Sequence, residues 1–123
     1  MPAIRNISIV DDDRPVREAV ESLVKAAGYE ASAFGSAKDF LDSGRLQRTD
    51  CLIVDVRMPG MSGLDLQETL ASSGVPIIFI SAHGDEEARE RALQGGAVDF
   101  LRKPFSDGAL LAAIDAAGSR NKA

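Results

Sequence analysis

Several residues able to do chemistry stand directly beyond short apolar runs. Asp11-Asp12-Asp13 follow Ile7-Ser8-Ile9-Val10, and Asp55 follows Cys51-Leu52-Ile53-Val54. Ser81 follows Pro76-Ile77-Ile78-Phe79-Ile80, and Lys103-Pro104 follow the run 97–101. Carboxylates gathered in one place repel one another and take up protons unless a cation joins them. Ligands that are all oxygen select a hard ion, Mg²⁺ or Mn²⁺, over zinc. Carboxylates bringing about −3 would be balanced by a divalent ion and Lys103 at about +3. Mg²⁺ held by few protein ligands keeps waters and bridges to phosphate oxygens. A carboxylate can then be the nucleophile that takes a phosphoryl group and becomes an aspartyl phosphate. Metal and lysine would stabilise charge on the transferring oxygens.

That chemistry needs elements that bring these positions together. Val16, Val20, Leu23, Val24 and Ala27 share one helical face, with Asp13 suited to the N-cap, Pro15 to the first turn and Gly28 to the stop. The stretch 29–34 reads as a second, more polar strand. Ser36 caps a short helix through Phe40 and Leu41 that ends near Gly44. After the strand at 51–54, a loop with Pro59, Gly60 and Gly63 leads into a helix carrying Leu64, Leu66 and Leu70. After the strand at 76–80, Asp85-Glu86-Glu87 open a helix ending near Gly95-Gly96. The strand at 97–101 is followed by a closing helix with Leu110, Leu111, Ile114 and Ala117. Strict alternation predicts parallel strands joined by helical crossovers. The third and fourth strands are apolar at nearly every position, as in a sheet covered on both faces. The sequence therefore predicts an α/β fold: an open, doubly wound, flavodoxin-like sheet of five parallel strands in the order 2-1-3-4-5. Ligands in such sheets bind beyond the carboxyl ends of the strands, where the order reverses. Strands 1 and 3 flank that crevice, and both end in carboxylates.

Composition narrows the classes. The 123 residues make one domain, expected to span 1–118, followed by a polar tail or linker at 119–123. Hydrophobic residues at 45% and charged residues at 27% fit a globular chain rather than a disordered one. A net charge of −5 argues against this piece gripping nucleic acid. The single cysteine, Cys51, rules out an internal disulfide and fits a cytoplasmic setting. It reads as a small buried hydrophobe. No signal peptide or membrane-length apolar run is visible.

The stretches IVDDD (9–13), LIVDVRMPGMSGLDL (52–66), IFISAHGD (78–85) and GAVDFLRKPF (96–105) together resemble the receiver domain of bacterial two-component response regulators. The wording of RMPGMSG, SAHGD and GAVDFLRKPF looks most like the FixJ-type subset, whose members usually continue into a DNA-binding domain. The resemblance implies that Asp55 is the phospho-accepting residue. It implies Mg²⁺ (or Mn²⁺) held by Asp12 directly, Asp11 through water, Asp55, and the backbone carbonyl of Arg57. Ser81 matches the switch hydroxyl, Ala82 the small residue beside the phosphoryl group, Lys103 the family lysine and Phe100 the switch aromatic. A cis Lys103–Pro104 bond is implied too. The implied donor is a partner histidine kinase. The implied response is a changed surface of helix 4, strand 5 and helix 5, read by a homodimer contact or an output partner. By its own catalysis such a chain would promote only its own phosphorylation and dephosphorylation. Arg57 and His83 occupy positions that in the family influence the hydrolytic water, so their bulk and charge are expected to tune the phosphate lifetime.

Plainer readings exist for each residue. The Asp11–Asp13 trio could be a helix cap cluster, since acids favour helix N-termini. Asp55 could be a loop carboxylate, Ser81 a turn residue, Lys103 a solvated amine and Phe100 a core aromatic without a switching role. His83 has no second His or Cys nearby to make a transition-metal site. Met58 and Met61 read as packing residues. The helix 86–94 has a thin apolar stripe of Ala88, Ala92 and Leu93, suiting a loosely held element. Other functions also use this chemistry. A Mg²⁺-dependent phosphatase with an aspartyl nucleophile usually has a second aspartate two residues on, where this chain has Arg57. A flavodoxin-like carrier would want a Gly-rich phosphate loop after strand 1, where this chain has acids. A stand-alone single-domain regulator and a receiver within a longer transcriptional regulator remain alternatives.

Overall fold

The structure, a computed structural model, describes residues 4–82 and 86–120. Its strands are β1 (Asn6–Val10), β2 (Glu30–Phe34), β3 (Cys51–Asp55), β4 (Ile77–Ser81) and β5 (Asp99–Arg102). Its helices are α1 (Arg14–Ala26), α2 (Ala37–Asp42), α3 (Gly63–Thr69), α4 (Glu86–Gln94) and α5 (Asp107–Arg120). The strands form one parallel sheet in the order β2-β1-β3-β4-β5, as the alternation predicts.

The period-2 alternation of β3 and β4 sorts their side chains into two cores. Cys51, Ile53, Ile78 and Ile80 face α1 and α5, meeting Val20, Val24, Leu110 and Ile114. Leu52, Val54, Ile77 and Phe79 face the other layer, meeting Phe40, Leu64, Leu66, Ala88 and Ala92. Each fully buried aliphatic side chain stabilises the fold by about 1.5–3 kcal/mol, and truncating Ile53 to Ala would cost about 2–5 kcal/mol. The Cys51 thiol is pushed up to about 12 by burial, so it stays protonated and inert.

Local signals set the ends. Asp13 caps α1 by accepting from the Val16 N–H, with Pro15 in the first turn. Ser36 caps α2 by accepting from Asp39 N–H at 3.0 Å. Ser62 and Asp65 cap α3 reciprocally, each side chain accepting from the other's backbone N–H at 3.1 Å.

Some boundaries differ from the sequence reading. Ser81 is the last residue of β4 rather than the first beyond it, and Pro76 lies outside the strand. β5 begins at Asp99: Ala97 N–H still bonds back to Ala92 O at the end of α4, and Val98 N–H donates to Ile77 O at the start of β4. A 3-10 turn, Arg45–Arg48, follows α2 and was not foreseen. α5 continues through Arg120, so Ser119 and Arg120 of the expected polar tail are helical. The tail residues 121–123, and His83 and Asp85, lie outside the described residues. α4 buries only Ala88 and Ala92. One further tie is the Gln67 amide, which donates to Ala92 O at 2.9 Å from within α3.

Candidate functional site

β1 and β3 are hydrogen-bonded neighbours, so their carboxyl ends deliver Asp11 and Asp55 to one crevice. Asp11 is fully buried and Asp55 nearly so, while Asp12 is exposed. Asp11, Asp12 and Asp55 each offer a carboxylate oxygen, all within 4.8 Å of one another. Lys103 enters from the loop after β5, and its Nζ lies 3.2 Å from Asp11 Oδ2 and 3.2 Å from Asp55 Oδ2. The Lys103 N–H also donates to Ser81 O at 2.7 Å, locking the ends of β4 and β5 together. The Lys103–Pro104 peptide is cis.

Backbone donors hold the other carboxylate oxygens. Asp13 N–H donates to Asp11 Oδ1 at 2.9 Å, and Arg57 N–H donates to Asp55 Oδ1 at 3.1 Å. Burial pushes Asp11 up to about 6; the Asp13 N–H opposes that, the Asp55 charge adds to it and the Lys103 amine again opposes it. Burial works against the Lys103 charge, but the Asp11 and Asp55 carboxylates outweigh it and hold the amine above the ordinary lysine range. Among the described residues, three carboxylates are met by one ammonium in direct ion-pair contact, which leaves that group of four about two charges negative when all are ionised. That deficit, a donor set made only of carboxylate oxygens and the exposed Asp12 fit a hard divalent cation.

The other expected residues fall around this pocket in different ways. Ser81 is buried beside the β3 end, since Asp55 registers with Ile80. Ala82 follows it and is exposed. Arg57 is exposed at the start of the β3–α3 loop. Phe100 is not joined to the carboxylates; it is half-buried and packs on Phe79 with ring centroids 6.3 Å apart.

Two positions gained meaning only in three dimensions. Gly63 was read as a loop residue, yet a Cβ there would overlap the Asp55 carbonyl oxygen and lie 3.1 Å from Phe79 Cε1. A bare glycine is what lets α3 start against the residue at the end of β3. Arg17, on α1, donates from its guanidinium to Asp11 O at 2.7 Å. An arginine on a helix surface carries no sequence signal for such a contact.

The profile of the response regulator receiver domain matches residues 7–115. This chain belongs to that family. The receiver is 48% identical over 118 residues to Nodulation protein W of Bradyrhizobium diazoefficiens, covering 94% of this chain and 52% of that protein. It is 39% identical over 123 residues to the transcriptional regulatory protein FixJ of Azorhizobium caulinodans, covering 98% of this chain and 58% of that one. The structure of response regulator StyR superposes with a TM-score of 0.88 at 46% identity, over 97% of this chain and 61% of that one. The FixJ-like wording of the loops is therefore matched by kinship as well as by motif. The receiver spans about half the length of the curated relatives it matches. Among the described residues no helix is long and apolar enough to cross a membrane. Membership in this family favours a signalling receiver over the phosphatase and carrier readings.

Proposed function

We propose that this receiver is a phosphorylation switch in which Asp55 takes a phosphoryl group from a histidine kinase. The observation that carries the reading is the Lys103 amine, 3.2 Å from both Asp55 and Asp11 at the carboxyl edge of the sheet. An Asp55 carboxylate oxygen forms the new O–P bond as the P–N bond to the kinase histidine breaks. The imidazole leaves with the electron pair and takes a proton. Asp11, Asp12, Asp55 and the Arg57 carbonyl would hold Mg²⁺ (or Mn²⁺). That ion would supply charge neutralisation on the phosphoryl oxygens. Lys103 then moves its hydrogen bond from Asp55 Oδ2 to a phosphoryl oxygen. Ser81 donates its hydroxyl to another, and the small side chain of Ala82 leaves space for it.

The response follows from what Ser81 and Lys103 are attached to. Ser81 ends β4 and Lys103 follows β5, so drawing them to the phosphoryl group moves the ends of both strands. Phe100 turns further inward, and the α4–β5–α5 surface changes. That surface would be read by a second copy or by an output region, and the 1–118 unit would be the receiver part of a cytoplasmic transcriptional regulator. Nucleic acid would be bound by that output region and not by this acidic unit. Arg57 and His83 would tune hydrolysis of the aspartyl phosphate. An Arg57→Ala/His83→Ala double variant with an unchanged dephosphorylation rate would remove that role.

The test is Mg²⁺-dependent phosphorylation by acetyl phosphate, with oligomer mass measured before and after. Wild type should take label only with the metal, and Asp55→Asn should take none. Label persisting on Asp55→Asn would place the acceptor elsewhere. Multiple turnover of small phosphoesters would favour the phosphatase reading.

A further inference from the structure

Asp11 is pinned on every side by this chain. Its N–H donates to Phe34 O at 3.1 Å, its Oδ1 accepts from Asp13 N–H at 2.9 Å, and its Oδ2 accepts from Lys103 at 3.2 Å. The remaining group, its carbonyl oxygen, accepts from Arg17 Nη1 at 2.7 Å. Arg17 reaches back from α1 over six residues, and its half-buried guanidinium runs beside Gly35 in the β2–α2 turn. A Cβ on Gly35 would lie 3.3 Å from Arg17 Nη1, so the bare backbone there leaves the guanidinium its path.

We propose that Arg17 is a positioning residue for the acidic pocket. It fixes the peptide between Asp11 and Asp12, and so the angle at which both carboxylates face Asp55. This rests on the reading of that pocket as a divalent-cation site. The physical case is that the Asp11 carbonyl is held by a charge-assisted bond at 2.7 Å, and truncating Arg17 exchanges that fixed donor for mobile water. The peptide would then turn to find another partner, carrying the adjacent Asp12 side chain with it. Groups that orient metal ligands from behind typically alter metal affinity by about 10–100-fold.

Charge alone predicts the opposite sign. A guanidinium near three carboxylates repels a divalent cation, so removing it for electrostatic reasons would tighten binding. The two roles therefore separate in one titration. Mg²⁺ affinity is measured by calorimetry on wild type, Arg17→Ala, Arg17→Lys and Asp12→Asn. Arg17→Ala should bind Mg²⁺ at least about tenfold more weakly, while Arg17→Lys stays within about threefold of wild type. With acetyl phosphate, the Mg²⁺ concentration for half-maximal labelling should rise in Arg17→Ala while the maximal rate stays within about threefold. Equal or tighter Mg²⁺ binding in Arg17→Ala overturns the proposal. If Arg17→Ala does not fold, Arg17→Gln decides, because it keeps most of the side-chain stem but removes the guanidinium. Weakened Mg²⁺ binding there supports the role, and unchanged binding overturns it. Wild-type Mg²⁺ binding that survives Asp12→Asn would instead defeat the cation-site reading itself.

Discussion

Lys103 and Asp55 form an ion pair at 3.2 Å, with side chains only 14% and 10% exposed. At that depth neither charge is well solvated, so the pair is far more consequential than a surface salt bridge. The amine also occupies one oxygen of the carboxylate proposed to accept the phosphoryl group.

Replacing that amine should separate metal binding from phosphoryl transfer. Lys103→Met removes a positive charge next to Asp11 and Asp55, so Mg²⁺ binding should tighten, by roughly threefold or more. Labelling of Asp55 by acetyl phosphate should fall at least about tenfold, because the transferring oxygens lose a charged donor. Parallel Mg²⁺ titration and labelling check both halves. Weaker metal binding in Lys103→Met would count against the pocket as described.

Acidity should act on the pocket through Asp11. Its folded-state value is raised from the ordinary 3.8 to about 6 by burial, so between those values the folded chain holds a proton that the unfolded chain has lost. This group's contribution to stability is thus complete below 3.8 and disappears as pH rises through about 6. Metal-free protein should lose some thermal stability from this source over that window. Mg²⁺ must displace the same proton, so its affinity should be about tenfold lower at pH 5 than at pH 7. Melting curves with and without Mg²⁺ across pH 4–7 check the sign; an affinity flat across that range would contradict it.

Gly63 should be sensitive for a reason unrelated to turn conformation. Gly63→Ala drives a methyl into the Asp55 carbonyl, so β3 and α3 must part. The expected cost is about 1–3 kcal/mol, with labelling slowed at least tenfold as Asp55 is displaced. Gly74→Ala is the control. Its φ of 75° makes the change strained, but a Cβ there meets nothing within 4 Å. It should cost about 1 kcal/mol and leave labelling unchanged. Denaturant melts with labelling assays distinguish the two.

Much of this was legible in the chain because it rests on order and periodicity. The unbroken apolar character of β3 and β4 announced a sheet buried on both faces, and the order of strands and helices announced its topology. The grouping of Asp11, Asp55, Ser81 and Lys103 followed once each was seen to end or follow a strand. What was not legible depends on distances between backbones. Nothing in the letter at position 63 says that the Asp55 carbonyl passes beside it. Nothing at position 17 says that a helix arginine turns back to the strand end. The boundary at Ser81 slipped because backbone pairing with β5, not hydrophobicity, decides where β4 stops. Phe100, expected as the switch aromatic, lies beside its strand partner Phe79, with ring centroids 6.3 Å apart.

The bond from Lys103 to Asp11 joins residues 92 positions apart. During synthesis the amino-terminal acids leave the ribosome long before the lysine that compensates them. Until residue 103 has emerged, Asp11 and Asp55 lack this ammonium partner and remain solvated. A chain broken off before residue 103 would thus carry the acids of the pocket without the charge that organises them.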